Sequence, residues 1–193
     1  CVAPDYVLVE SSIKKALIDK MTYYIEKFYG KDPSQSDFYG RIINEKNFKR
    51  IKSLFSKDEV LYGGHSEEKA RFISPTLIKA SMTSKIMSEE IFGPILPILE
   101  VKDFEECLTN INSMSKPLAV YLFSKDTSLH NKIQKETQSG AICVNDSAIQ
   151  LGVSDLPFGG FEESGINRYH GKASFDIFSN KRSIVRRFQF LDW

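Results

Sequence analysis

The sequence predicts an α/β fold: a mostly parallel sheet with crossover helices, plus a C-terminal strand or arm. Between residues 95 and 145, apolar strand-like runs alternate with amphipathic helical runs, in the order strand, helix, strand, helix, strand. That order is how a parallel sheet is wound. Apolar residues make up 41% of the chain and aromatics 12%, enough to fill a core against that sheet. Start and stop residues such as Asp103 and Gly140 frame the helical runs.

The elements follow in order. Val7 to Val9 is a short β-branched run, and Ser11 and Ser12 after it are candidate helix caps. Ile13, Ala16, Leu17, Met21, Tyr24, Ile25 and Phe28 keep helical spacing until Gly30. Residues 32–39 are polar and turn-rich. A second helix is predicted from about Asn44 to Phe55, with Phe48, Ile51, Leu54 and Phe55 on one face. Val60 to Tyr62 reads as a strand ended by Gly63-Gly64. Phe72 to Ile78 reads as another, interrupted at Pro75.

Ile95 to Val101 has the continuous apolar character of a buried strand. Asp103 then caps a helix carrying Phe104, Cys107, Leu108, Ile111 and Met114, with Glu106 able to reach back in a capping box. Leu118 to Ser124 is a strand, Thr127 to Gln138 a helix and Ala141 to Val144 the next strand. Lys172 to Phe178 predicts a short helix, and Ser183 to Phe188 a terminal strand.

A length of 193 residues fits one ordinary domain. Twenty-six Lys and Arg against 25 Asp and Glu leave a net charge of +1, which argues against nucleic-acid or membrane-surface binding driven by bulk charge. The apolar stretch 91–101 is broken by Gly93, Pro94, Pro97 and Glu100 and falls far short of the ~20 residues that span a bilayer. Cys1, Cys107 and Cys143 are too few and too scattered for a disulfide framework or a zinc site, so no metal is expected and the default setting is reducing and cytoplasmic. A chain that begins with Cys1 rather than Met is expected to have lost an upstream portion.

Three segments carry candidate chemistry. In Glu89-Glu90-Ile91-Phe92-Gly93-Pro94, two carboxylates run into an aromatic, a Gly and a Pro just before a buried strand. One reading is an exposed turn with a hydrophobic staple. The other is a loop presenting a carboxylate, a natural acceptor for a ribose diol, beside an aromatic able to bracket a flat ring.

Pro157-Phe158-Gly159-Gly160-Phe161, with Ser164-Gly165 and Tyr169-His170-Gly171, predicts a long irregular loop packed closely on another backbone. Its spacing matches neither glycine-rich phosphate motif. Cys1, leading into Val2-Ala3-Pro4-Asp5-Tyr6-Val7, is either a frayed terminal thiol or a nucleophile, thiolate being the strong nucleophile available near neutral pH. Cys107 and Cys143 read as core residues and His65 and His130 as solvated surface. His170 reads as a loop residue rather than a base.

In this order, these pieces resemble the aldehyde dehydrogenase superfamily, in its class 3, fatty-aldehyde-type branch. The resemblance rests on the Cys1–Leu8 segment, on Glu89 through Pro97, on Lys116-Pro117-Leu118-Ala119, on Gly140 to Asp146, and on the late loop from Leu156 to Lys172. It covers the chain from Cys1 to about Val185. It implies that residues 1–180 are the thiol-nucleophile catalytic domain, cut at its N-terminal side, and that 181–193 form a strand or arm suited to oligomerisation.

The resemblance further implies that Cys1 is the catalytic nucleophile, passing through a thiohemiacetal and a thioester. Glu90 and Phe92 would bind the cofactor, NAD or NADP, through its nicotinamide ribose and ring. The substrate would be a small-molecule aldehyde and the assembly a homodimer, with no nucleic-acid partner and no membrane segment in this chain. Membrane anchoring of the parent is left open.

Two departures stand out. Ser164-Gly165-Ile166-Asn167 has Asn where the family has a second glycine, and Asn accepts a positive φ well enough to keep the bend. Gln150 and Ser154 replace histidines, which touches substrate preference. The family's nucleotide-binding domain, general-base glutamate and oxyanion-hole asparagine all precede the nucleophile, so this polypeptide alone is expected to be inactive. The alternatives are a non-catalytic dimerisation or scaffold relative and an N-terminal-cysteine amidohydrolase. The second requires stacked antiparallel sheets, away from which the strand–helix alternation points.

Overall fold

The computed structural model describes residues 1–187, grouped into two compact units. One comprises Cys1–Met114 with Lys135–Thr137; the other comprises Ser115–Gln134 with the chain from Gln138 on.

The first unit is built on a four-stranded sheet in the order β1 (Val7–Glu10), β6 (Ile95–Val101), β5 (Thr76–Ala80), β2 (Val60–Tyr62). β1, β6 and β5 run parallel, with Val7 opposite Ile98 and Thr76 opposite Ile95. β2 closes one edge antiparallel, and its register slips between Val60 and Tyr62. The predicted strand 72–78 is divided at Ser74-Pro75. Before the break, β4 (Phe72–Ile73) pairs with β3 (Ser66–Glu67) in a separate antiparallel ladder; after it, β5 joins the main sheet. Proline has no N–H for a ladder, which is why the break falls there.

Side-chain alternation along the strands divides the core between the two faces. Leu77 and Ile98 join Val9 on one face, covered by Leu17, Ile18, Met21 and Ile25 of α1 (Ser11–Tyr29). Ile78 and Ile95 lie on the other, against Phe48 and Ile51 of α2 (Glu45–Lys52) and against Leu54, Ile73, Ile86 and Ile91. The apolar arc predicted for α1 is wider than the stripe the sheet covers: Ile13, Tyr24 and Phe28 are exposed.

Two predicted caps are altered. Ser11 is already helical, the cap position belongs to Glu10, and the Ser11 hydroxyl donates to the carboxylate of Glu100. At α3 (Phe104–Asn112), Asp103 accepts the N–H of Glu106 as expected, but Glu106 reaches one residue further back and accepts the N–H of Lys102.

In the second unit, β7 (Ala119–Leu122) and β8 (Ala141–Val144) pair in parallel with Ala119 opposite Ala141, joined by α4 (Thr127–Glu136) as crossover. The predicted strand–helix alternation is therefore present. β6 and β7, however, belong to different sheets, because β6 is already flanked by β1 and β5. α5 spans Gly171–Phe178. Of the predicted terminal strand, residues 183–187 carry no helix or strand, and Phe188 lies outside the described residues, as does the rest of the arm from 189 to 193. Among the described residues no helix is long and apolar enough to cross a membrane.

Candidate active site

Cys1 is exposed and heads an irregular segment that becomes β1 at Val7. Four residues on, the Asp5 carboxylate accepts the backbone N–H of Ile91 at 3.0 Å. Four residues of extended chain reach at most about 14 Å, so this bond tethers the segment headed by Cys1 to the loop carrying Glu90 and Phe92. Burial raises the Asp5 carboxyl above its ordinary range, opposed by the Ile91 hydrogen bond and the Arg50 guanidinium.

The loop is held from its other side by α2. Arg50 Nη2 donates to the Ile91 carbonyl at 2.6 Å, and Nη1 donates to the Glu90 carbonyl at 3.4 Å and to Glu89 Oε1 at 3.0 Å. The Ile91 side chain is 1% exposed and packs beside Phe48 and Ile51. Gly93 follows so closely that a Cβ there would lie 2.7 Å from Ile51 Cδ1. Of the two readings of this loop, the apolar anchor is Ile91, and Phe92 is turned outward: it is 68% exposed at φ 47°. A bulky residue in the left-handed region costs roughly 1–2 kcal/mol, which the anchored Ile91 and Arg50's carbonyl contacts offset.

The Glu90 carboxylate is exposed, and among the described residues nothing pairs with it. Its neighbour Glu89 is the one engaged by Arg50. An unpaired carboxylate beside an outward aromatic ring can accept hydrogen bonds from a diol and flank a planar group. Among the described residues, no group of three or more His, Cys, Asp or Glu side chains could hold a metal ion.

Asp5 and Arg50 escaped the sequence reading. Their partners lie 86 and about 40 residues away, and no local spacing marks such contacts.

In the second unit, the late loop folds as closely as its glycines predict. Phe158 and Tyr169 exchange backbone hydrogen bonds, and Arg168 Nη1 donates to the carbonyls of Gly140 and Gly159 at 2.6 and 2.7 Å. Asn167 takes φ 67°, the positive value expected of it. His170 is half-buried, its ring stacked on Phe158, and its Nδ1 has no partner among the described residues. Gln150 donates through Nε2 to the Tyr121 hydroxyl at 3.0 Å.

His65 is exposed, as expected. His130 differs from its solvated reading: it is half-buried, with Nε2 2.9 Å from the Ser124 carbonyl. Cys107 and Cys143 are both half-buried rather than fully enclosed.

Residues 1–184 match the aldehyde dehydrogenase family. The rat protein named aldehyde dehydrogenase, dimeric NADP-preferring, is 44% identical over 186 residues, covering 96% of this chain and 41% of that protein. Rat aldehyde dehydrogenase family 3 member A2 is 45% identical over 186 residues, covering 96% and 38%. The substrate-bound state of Staphylococcus aureus AldH superposes with a TM-score of 0.93 at 42% identity, over 100% of this chain and 43% of that one. The chain thus spans about two fifths of the length of these relatives. With its sequence matched almost from end to end and its fold shared at that level, the chain belongs to the aldehyde dehydrogenase family.

Proposed function

We propose that this chain is the nucleophile-bearing part of an NAD(P)-dependent enzyme that oxidises aldehydes to carboxylic acids. The observation that supports it best is the Asp5–Ile91 hydrogen bond, which ties the segment headed by an exposed thiol to the loop with an unpaired carboxylate and an outward ring.

Cys1 Sγ, as thiolate, adds to the aldehyde carbon and forms a thiohemiacetal. A bound nicotinamide nucleotide supplies the acceptor for the hydride leaving that carbon. The acyl group then remains on Cys1 as a thioester, which water hydrolyses to release the acid and restore the thiolate. Glu90 is suited to receive the ribose hydroxyls of the nucleotide and Phe92 to steady its ring; both are exposed and free to do so. A nucleophile that must stay reduced suits a reducing, cytoplasmic setting.

In the family resemblance, the general-base glutamate, the oxyanion-hole asparagine and the nucleotide-binding domain lie upstream of the nucleophile. The 193-residue polypeptide by itself is therefore inactive in this proposal, and the activity belongs to the full-length protein. A homodimer is part of it too, supported by the relative named dimeric and by the exposed Tyr24 and Phe28 on α1.

The test is aldehyde-dependent formation of reduced nicotinamide nucleotide by the full-length protein carrying this sequence. Cys1→Ser should lower the rate by more than about a thousandfold, and residues 1–193 alone should show no turnover. An undiminished rate in Cys1→Ser would overturn the assignment of the nucleophile.

A further inference from the structure

We infer that Arg50 and Asp5 are positioning residues for the nucleotide-facing loop, clamping the Ile91 peptide from its two sides so that Glu90 and Phe92 are presented in one fixed geometry. The inference rests on the proposed function for what the loop contacts; the clamp itself rests on geometry.

The N–H of Ile91 goes to Asp5 Oδ1 at 3.0 Å, and its carbonyl receives Arg50 Nη2 at 2.6 Å. Both backbone polar groups of one residue are thus satisfied by side chains from elsewhere in the unit: the segment behind Cys1 and helix α2. Arg50 Nη1 also reaches the Glu90 carbonyl and the Glu89 carboxylate. The backbone preceding Phe92 is therefore pinned at two successive carbonyls.

Such pinning is needed because Phe92 occupies a left-handed conformation that a bulky residue leaves unless its surroundings hold it. The burial of Ile91 supplies the anchor on the apolar side, and Gly93, pressed against Ile51, fixes the exit. Asp5 and both Nη groups of Arg50 spend their hydrogen bonds on the loop, while Arg50 Nε donates to Asn47 Oδ1 at 3.4 Å within α2, so the two residues act through Glu90 and Phe92.

A guanidinium is suited to this place because its planar fork aims donors at several acceptors at once. A lysine offers one compact ammonium and cannot hold the Ile91 carbonyl, the Glu90 carbonyl and the Glu89 carboxylate in the same geometry. Arg50→Lys is therefore expected to behave like Arg50→Ala for nucleotide affinity, although it keeps the positive charge.

The experiment uses the full-length protein. Wild type, Arg50→Ala, Arg50→Lys and Asp5→Ala are compared for NAD(P) dissociation constant, for kcat and for the rate of Cys1 alkylation by iodoacetamide. Arg50→Ala and Arg50→Lys should each weaken nucleotide binding about tenfold or more, while Cys1 alkylation stays within about twofold of wild type; the tenfold change is about 1.4 kcal/mol. Asp5→Ala should weaken nucleotide binding and also alter Cys1 alkylation, because Asp5 joins both segments. Unchanged nucleotide affinity in a folded Arg50→Ala protein overturns the clamp.

Should the variants fail to fold, hydrogen exchange in the wild type decides. The Ile91 amide is expected to exchange at least about a hundredfold more slowly than an unprotected amide, and exchange at the unprotected rate overturns the inference. A wild type that binds no nucleotide while its Ile91 amide is protected sinks the proposed function, and with it the loop's stated purpose. A wild type that binds nucleotide equally well with and without Arg50 sinks the clamp alone.

Discussion

Gly140 and Gly159 meet backbone to backbone: a Cβ on Gly140 would lie 2.4 Å from the Gly159 carbonyl oxygen, and 2.5 Å from that of Leu118. Both obstacles are main-chain atoms, one in the approach to β7 and the other in the late loop, and no rotamer change relieves them. Gly140→Ala should therefore destabilise the second unit by about 3 kcal/mol, toward the upper end of overpacking costs. Gly152→Ala, where an added Cβ meets nothing within 4 Å, is the control and should fall within about 0.5 kcal/mol of wild type. Urea unfolding of the two variants checks the contrast.

Neighbouring residues in the 89–94 loop should separate stability from binding. Ile91, 1% exposed, contributes to the core; Phe92, 68% exposed, does not. Ile91→Ala is expected to cost about 2–5 kcal/mol of stability, whereas Phe92→Ala should change it by less than about 0.5 kcal/mol and weaken nucleotide binding in the full-length protein. Thermal unfolding alongside nucleotide titration reads both. Equal losses of stability would mean that the outward placement of the ring is wrong.

How much of this was legible in advance depends on the range of each interaction. β8 is bounded where its β-branched run and flanking Gly140 predict, and α1 ends at Gly30, because those signals are encoded within a few residues. The loop around Glu90 was legible as a choice between two readings. The choice turned on whether Ile91 or Phe92 met Ile51, a packing question that spacing does not answer.

Asp5 and Arg50 were invisible as builders of the loop around Glu90, because each acts on backbone groups far along the chain. The division of the strands between two sheets was hidden for the same reason. A strand–helix–strand pattern gives the handedness of a crossover but does not say which existing strand already occupies an edge.

Cys107 should be the slow cysteine. Burial, reinforced by the carboxylates of Glu10, Glu106 and Asp103, pushes its thiol from 9.0 to about 11. Alkylation proceeds through the thiolate, so at a pH near 8 its reactive fraction falls about a hundredfold below that of a thiol with the ordinary value. Timed iodoacetamide labelling with peptide mass mapping should show exposed Cys1 modified early and Cys107 late. The sign for stability follows from the same shift. The unfolded chain loses this proton first, so the contribution of Cys107 is intact below pH 9.0 and declines as pH rises from there toward about 11.

Asn167 carries the bend in the late loop, and it does so at φ 67°. Its side chain is exposed, so the cost of replacing it comes from the backbone rather than from lost packing. Asn is among the few non-glycine residues that adopt this region readily, while a β-branched side chain is strained there by roughly 1–2 kcal/mol. Asn167→Gly should be neutral within about 0.5 kcal/mol. Asn167→Val should destabilise by the full strain, unless the loop abandons the turn and with it the close approach of Gly159 to the Asn167 carbonyl. Urea unfolding of the two variants gives the ordering, and a Val variant as stable as the Gly variant would show that the left-handed turn at 167 is not what holds the late loop in place.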